Sequence, residues 1–470
     1  MGASGRARRQ PTAWEAATPI AGMALLLGVG YGAYHFPVEI LLIAASVVAG
    51  LVALRLGYTW KDIEAGIIDS IAKAMPAQMI IIVVGVMIAS WIASGSIPML
   101  IDFGLRIVSP RLFLVTSCLV CGIISLLTGT AYGTAGTVGI AFIGIAHGMG
   151  IPPGQAAGAI VAGSYLGEKI SPFAASLNLA SAAVRCNVVD TIRHLVWTTT
   201  PPYLIGLAVY WIVGMHTSLH TASAERISLI QQTLRSSFHY GWSLLLPPVV
   251  VLVLTLRRKP VIPGMLLSSA LALLLARLVQ GRSLIESAKF CVTGFKLESG
   301  VATVNELLSR GGLQEMMRVS LVAFCAFAFA GIVQKAGILD ALLERILRVA
   351  RTTALLITSG VAAALATAVV TGSAYLSVLI PGELFAPAFK ARRLAAKNLA
   401  RATQEAHSVV AVVPWAIAGV YMAGTLGVPT WEYAPWAIFN YTGFLFPVLY
   451  GWLGFGTAPL KADDETQVGS

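Results

Sequence analysis

Apolar stretches long enough to cross a bilayer as helices recur along this chain, near 19–36, 38–55, 76–96, 111–128, 133–150, 195–214, 241–256, 261–279, 316–334, 353–370, 374–389, 408–426 and 433–456. A hydrocarbon core about 30 Å thick needs roughly 20 helical residues to span it, and backbone at that depth must satisfy its own hydrogen bonds. The pattern predicts an all-α polytopic membrane protein. Several stretches are short or interrupted by Gly and Pro, so about ten to thirteen spans are expected, counting broken helices and re-entrant hairpins. Only 11% of the 470 residues are charged and 57% are hydrophobic, against about 25% charged residues in soluble domains. A soluble globular protein is excluded.

The net charge is +11, and the basic residues lie between the apolar stretches, as the positive-inside bias requires. Nucleic-acid binding needs a concentrated basic face, so nucleic acid is excluded as a partner. Arg6, Arg8 and Arg9 mark residues 1–18 as a cytoplasmic tail. The apolar run after them lacks a small-residue cleavage pattern and reads as a retained helix. Arg257-Arg258-Lys259 and the cluster Lys390, Arg392, Arg393, Lys397 and Arg401 are further cytoplasmic markers. Cys118 and Cys121 share one helix face. A single such pair without further Cys or His ligands reads as helix packing, not as a zinc site, and no metal centre or cofactor is expected.

One short motif occurs twice, each time inside an apolar stretch: Thr128-Gly129-Thr130-Ala131-Tyr132-Gly133-Thr134 and Thr371-Gly372-Ser373-Ala374-Tyr375-Leu376-Ser377. Glycine and hydroxyl side chains at membrane depth are tolerated where irregular backbone lines a cavity, and matching interruptions in two halves point to a binding site. The expected units are a first transmembrane repeat at 19–214 and a second of inverted topology at 241–457, joined by a polar loop at 215–240 and followed by a tail at 458–470. Amphipathic stretches, Tyr58 to Ala74 and Arg282 to Arg310, follow the second span of each half and are expected to lie at the interface. Glycines four apart, such as Gly163 and Gly167, predict close helix packing.

The densest polar segment of the first half runs from Gly163 to Asn178. Pro172 removes a backbone donor and pushes Ser171 out of helical geometry, freeing carbonyls there for a cation, while Ser176 and Asn178 offer neutral oxygens. Glu168 is the main proton-carrier candidate, because a carboxylate in a low-dielectric cavity can exchange a proton for a cation. A Glu168-Lys169 pair snorkelling at a helix end is the competing reading. In the second half Glu405 and His407 are the proton-carrier candidates, with a helix-cap or interface role competing. Thr128, Thr130, Thr134, Thr371, Ser373 and Ser377 complete the expected cation or substrate ligands, and Gly129, Gly133, Pro172 and Gly372 the broken-helix backbone. Glu383, after Pro381-Gly382, is a pathway candidate.

These blocks resemble the NhaC-type sodium/proton antiporter family of the ion-transporter superfamily. Thr128 to Thr137, Gly167-Glu-Lys-Ile-Ser-Pro172, Asn178-Leu-Ala180, Ile192-Arg-His194 and Thr198-Thr-Thr-Pro201 fall in the family's order, as do Thr371 to Ser377, Pro381-Gly382, Lys397-Asn-Leu399, Pro414-Trp415, Tyr421 to Gly427, Tyr433-Ala-Pro435 and Phe439-Asn-Tyr441. The chain departs from the family pattern Gly-Asp-Lys-Met-Ser-Pro-Leu-Ser-Asp-Thr-Thr-Asn. Glu168 stands for the first Asp, Ala175 for the second, and Ser176-Leu177 for the two Thr, which puts the family's sodium ligands in doubt at these positions. In the second half Glu405-Ala406-His407-Ser408 lies near the family's Asp-Ser/Ala-Gly-Thr.

The resemblance implies a multi-pass secondary carrier of a bacterial or archaeal inner membrane that exchanges sodium ions for protons by alternating access. Glu168 and Glu405 would hold or release protons, and Asn178, Ser171, Thr130 and Ser373 would supply cation oxygens. The alternative is a proton- or sodium-coupled carrier of a small organic anion or amino acid. An intramembrane enzyme is the more distant reading: Ser164 directly follows Gly163, so G-x-S-x-G spacing is absent, and no H-E-x-x-H or P-loop sequence occurs. The expected partners are sodium ion, proton, a small organic solute under the alternative, and the lipid bilayer, with a homodimer left open.

Overall fold

The computed structural model describes residues 8–216, 224–257 and 259–460. Arg6 of the expected basic tail, Arg258 of the marker triplet, 217–223 of the polar loop and 461–470 of the expected tail lie outside the described residues. The first part of the chain forms α1 (Ala13–Leu25), α2 (Val38–Arg55), α3 (Trp60–Ser94), α4 (Ser96–Ile107), α5 (Phe113–Thr128), α6 (Ala131–Thr134), α7 (Ile140–Met149), α8 (Pro153–Ile170), α9 (Ala175–Ala183) and α10 (Val188–His216). After α11 (Ala224–Ser237) come α12 (Leu246–Leu256), α13 (Val261–Leu278), α14 (Leu284–Thr293), α15 (Ala302–Leu308), α16 (Leu313–Lys335), α17 (Ile338–Arg348), α18 (Thr353–Thr371), α19 (Ala374–Ala391), α20 (Lys397–His407), α21 (Ile417–Leu426), α22 (Thr430–Tyr433), α23 (Ile438–Thr442) and α24 (Leu445–Leu453). Among the described residues the only strand-like pairing is an isolated bridge between Leu394 and Pro459.

The protein is an all-α polytopic membrane protein. Seven helical stretches are long and apolar enough to cross a bilayer, and two pairs bent by 104° and 45° bring the number to nine. Among the other apolar stretches, a π turn at Ala135–Gly139 joins α6 to α7, whereas α10 runs unbroken through Pro201 and Pro202 and α19 through Pro381 and Pro387. On α2 the side chains of Ile40, Ile43, Val47, Leu51 and Leu54 are exposed at helical spacing, the apolar outer stripe expected of a lipid-facing helix.

The stretch from Tyr58 to Ala74 does not form a separate interfacial helix. It is continuous with the next span in the 35-residue α3, which starts from a capping box of Thr59 and Asp62. Pro76 is exposed on the outer face, where its missing N–H interrupts a single hydrogen bond and the helix carries on. Arg282 to Arg310 does break, into α14 and α15, with Gly294 and Gly300 at φ +88° and +80° between them.

Small residues set the tightest helix pairs. α3 and α16 run antiparallel: Gly66 lies against Gly331 and Lys335, and Gly85 against Gly312 and Met316, with Gly312 N donating to Gly85 O at 2.8 Å. Gly163 and Gly167 of α8 press on the backbone of Cys118 and Ser125 of α5. Both Cys118 and Cys121 are buried in that contact, and Tyr203 Oη donates to Cys118 O at 3.1 Å. The cysteine pair packs helices, as its spacing predicts.

Candidate ion-binding site at two helix breaks

The repeated motif builds the same local structure twice. α5 ends on Gly129 at φ +73°, whose N–H donates to Ser125 O, and α18 ends on Gly372 at φ +63°, whose N–H donates to Ala368 O. The next residue is extended in both cases, Thr130 at φ −135° and Ser373 at φ −112°. Each caps a new helix by accepting a backbone N–H, from Gly133 and Leu376 respectively. Left-handed φ is costly for any residue with a Cβ, and a hydroxyl acceptor is the preferred N-cap. The Gly-Thr/Ser pair therefore codes a stop and an immediate restart.

Two other breaks face these. α8 ends at Ser171, extended at ψ 133° as a residue before proline must be. α20 ends in a 3-10 turn at Ser408–Val412. Gly129 sits directly against Phe173 and Ala174 of the first break, and Ile417 N donates to Gly372 O at 3.0 Å next to the second.

Glu168, half-buried near the end of α8, reaches the motif. Its Oε2 accepts Ala131 N–H at 3.0 Å, and its Oε1 accepts Ser176 Oγ at 3.1 Å. Gln404 Nε2 of α20 donates to Glu168 O at 3.0 Å and to Ser176 Oγ at 3.2 Å. The carboxylate thus ties the start of α6 to α9, and Gln404 ties α20 to α8 and α9.

Lys169 does not pair with its neighbour Glu168. Its ammonium lies 2.7 Å from Glu405 Oε2 of α20, with both side chains at 0% exposure, so the snorkelling interfacial pair is not what forms. Glu405 Oε1 accepts Thr198 Oγ1 at 2.9 Å and Thr199 Oγ1 at 2.5 Å, and the ammonium sits 4.2 Å from the Phe439 ring centroid. A Cβ at Gly443 would collide with Lys169 Nζ and lie 2.9 Å from Glu405 Oε2. A buried charge needs a partner and full hydrogen bonding, and here hydroxyls, ammonium and ring provide both.

Several fully buried polar atoms beside this pair have no hydrogen-bond partner: Gln404 Oε1 and His407 Nε2 on α20, and Asn440 Oδ1 on α23. His407 Nδ1 donates to Gln404 O, and the ring lies 6.2 Å from that of Tyr165. Neutral oxygens of Gln and Asn are the ligand type that hard cations take.

The remaining candidates serve the backbone. Thr134 Oγ1 donates to Thr130 O at 2.9 Å, Thr371 Oγ1 to Thr367 O at 2.7 Å and Ser377 Oγ to Ala374 O at 2.7 Å. Thr128 Oγ1 lies 3.5 Å from Ser125 O. Ser171 Oγ donates to Leu126 O at 2.8 Å, and exposed Asn178 donates to Pro172 O at 3.0 Å and Ala174 O at 2.7 Å. Gly133 lies against the Thr130 methyl. The structure brings Glu168, Ser176, Glu405 and His407 together around α8 and α20 and sets the motif hydroxyls at the edges as braces.

A family model described as the Na+/H+ antiporter family matches residues 21–200 and 163–455. The chain belongs to that family. An uncharacterized Na(+)/H(+) antiporter of Haemophilus influenzae is 39% identical over 460 residues, 96% of this chain and 98% of the relative. The Na(+)/H(+) antiporter NhaC of Alkalihalophilus pseudofirmus is 34% identical over 424 residues, covering 90% of each. A malate-2H(+)/Na(+)-lactate antiporter of Bacillus subtilis is 29% identical over 448 residues, 95% of this chain and 96% of the relative. These family members are transporters by name, and the chain is a multi-pass protein of the cell membrane.

Five side chains of this candidate site escape a reading of the sequence: Lys169 as the partner of Glu405, and Thr198, Thr199, Gln404 and Asn440. Thr198-Thr199-Thr200 ahead of Pro201-Pro202 is a polar run inside an apolar stretch, the signal that marks a pathway. Lys169 carries no such signal, because its partner is 236 positions away.

Proposed function

We propose that the protein exchanges sodium ions for protons across the membrane, with Glu405 as the point of exchange. The observation that carries this reading is the seat Glu405 offers: a buried carboxylate with Thr198 and Thr199 hydroxyls, held at present by the Lys169 ammonium. An ammonium is a tethered monovalent cation. When Lys169 gives up its proton, a sodium ion takes the place of that charge beside the same carboxylate, drawing on the free oxygens of Gln404 and Asn440. The charge of the site is unchanged by the swap, so neither state leaves an unpaired buried ion.

Glu168 links ionisation to movement. Its carboxylate holds Ala131 N–H at the start of α6, and protonating it weakens that bond and loosens the break. The two breaks share one geometry, which supports reading 19–214 and 241–457 as inverted repeats joined at 215–240, one rocking against the other. Thr130 and Ser373 then act by shaping the breaks.

Proteoliposomes with a trapped pH dye and an imposed pH gradient test the function. Sodium-dependent dequenching is expected, and its absence would contradict the reading. The malate and lactate named for the Bacillus subtilis relative favour a second reading, coupled carriage of a small organic anion, which predicts a dye response only when such an anion is added.

A further inference from the structure

Arg401 of α20 stands one helical turn before Glu405 and is 0% exposed. Its Nη1 donates to Gly456 O at 3.0 Å, while Nε and Nη2 have no partner. These two nitrogens form one edge of the planar guanidinium, the edge that meets both oxygens of a carboxylate in a parallel pair of hydrogen bonds. Among the described residues no carboxylate pairs with Arg401. Glu405, the nearest acid along α20, is taken by Lys169, Thr198 and Thr199. A permanently charged group is therefore buried with its Nε and Nη2 edge unpaired, while the nearby Glu405 carboxylate is hydrogen-bonded to other groups, an arrangement that an added anion would stabilise.

A cavity opens one helical turn away on α20. Lys397, four residues before Arg401 on the same helix face, lines a cavity of about 580 Å³ together with Arg185, Lys390, Asp190 and Glu383. Basic groups in such a concave wall concentrate small anions. The segment from Gly456 to Leu460 connects the two places: Gly456 holds the guanidinium, Leu460 lines the cavity, and between them Ala458 is clamped by Asn398, whose Nδ2 donates to Ala458 O at 2.8 Å and whose Oδ1 accepts Ala458 N at 3.0 Å.

We propose that the Nε and Nη2 edge of Arg401 is a binding site for the carboxylate of a small organic acid, admitted from this cavity. The site lies beyond the sodium and proton exchange at Glu405 and does not depend on it. A bound carboxylate pairs with Arg401 and leaves the Lys169 and Glu405 pair intact.

The test is thermal unfolding of the detergent-purified full chain in sodium lactate or sodium acetate against sodium chloride, at equal sodium and ionic strength, followed by equilibrium dialysis with labelled lactate. The carboxylate salts are expected to raise Tm saturably in the wild-type protein, and Arg401→Gln is expected to abolish the rise. Arg401→Lys keeps the charge but not the fork and should weaken lactate binding by about tenfold or more. Equal Tm in lactate and chloride together with no bound label in the wild type would overturn the proposal, as would an unchanged lactate effect in Arg401→Gln. If Arg401→Gln does not fold, the wild-type dialysis and the Arg401→Lys affinity decide the matter.

Discussion

Lys169 and Glu405 stand 236 positions apart, yet the ammonium lies 2.7 Å from the carboxylate with neither side chain reaching solvent. Removing one member of a buried pair strands the other, at a cost of about 3–5 kcal/mol. Glu405→Gln and Lys169→Met should each lower the thermal midpoint strongly in detergent. Glu405→Leu combined with Lys169→Met should recover much of the loss, since an apolar pair of similar volume is often neutral. The double variant should still fail to exchange sodium for protons. Thermal unfolding and vesicle assays on the three proteins check this.

Gly443 offers a gentler perturbation of the same pair. It lies where a methyl group would press on both Lys169 Nζ and Glu405 Oε2. Gly443→Ala should preserve folding and shift the sodium concentration for half-maximal exchange, whereas Gly50→Ala, which meets open space, should leave it unchanged. Sodium titrations in proteoliposomes separate the two.

Glu168 accepts Ala131 N–H and the Ser176 hydroxyl. Glutamine keeps one acceptor but turns the other position into a donor, which faces an N–H or O–H. Glu168→Gln should cost about 1–3 kcal/mol from the unpaired donor and slow proton coupling more than it weakens sodium binding. Full coupled activity in this variant would remove Glu168 from the mechanism.

The two motif glycines differ in what surrounds them. A Cβ at Gly129 would approach Phe173 C to 2.6 Å, whereas at Gly372 the nearest atom is Ala416 Cα at 3.1 Å. Both substitutions bear the left-handed penalty of about 1–2 kcal/mol, and Gly129→Ala adds a backbone clash with the Ser171-to-Ala174 turn. Gly129→Ala should be the less stable of the two by thermal unfolding and the more impaired in transport.

The membrane class, the helix breaks and the acidic candidates were legible because each rests on local chemistry. Apolar runs require internally bonded helices, and Thr-Gly-Thr codes a stop and a restart whatever surrounds it. Glu168 and Glu405 stood out as carboxylates in apolar surroundings. The destination of Lys169 was not legible. Its sequence neighbour Glu168 bonds to Ala131 and Ser176, and only packing of α8 against α10 and α20 brings Glu405 to the ammonium. The motif hydroxyls show a related limit: composition marks an oxygen, whereas the carbonyl to which each hydroxyl donates its proton, as in Thr371 to Thr367 O, is set by helix geometry. The fusion of Tyr58 to Ala74 with the next span likewise turned on Pro76 facing outward, which periodicity alone does not specify.

The central claim, that Glu405 is the seat shared by a sodium ion and a tethered ammonium, is tested most directly by sodium-driven proton movement in proteoliposomes carrying either the wild-type chain or Glu405→Gln at matched protein density. The account predicts sodium-dependent dequenching of the trapped dye for the wild type and none for the variant, with folded variant confirmed by its elution profile. Full exchange in Glu405→Gln, or a wild-type protein that ignores sodium, would contradict it.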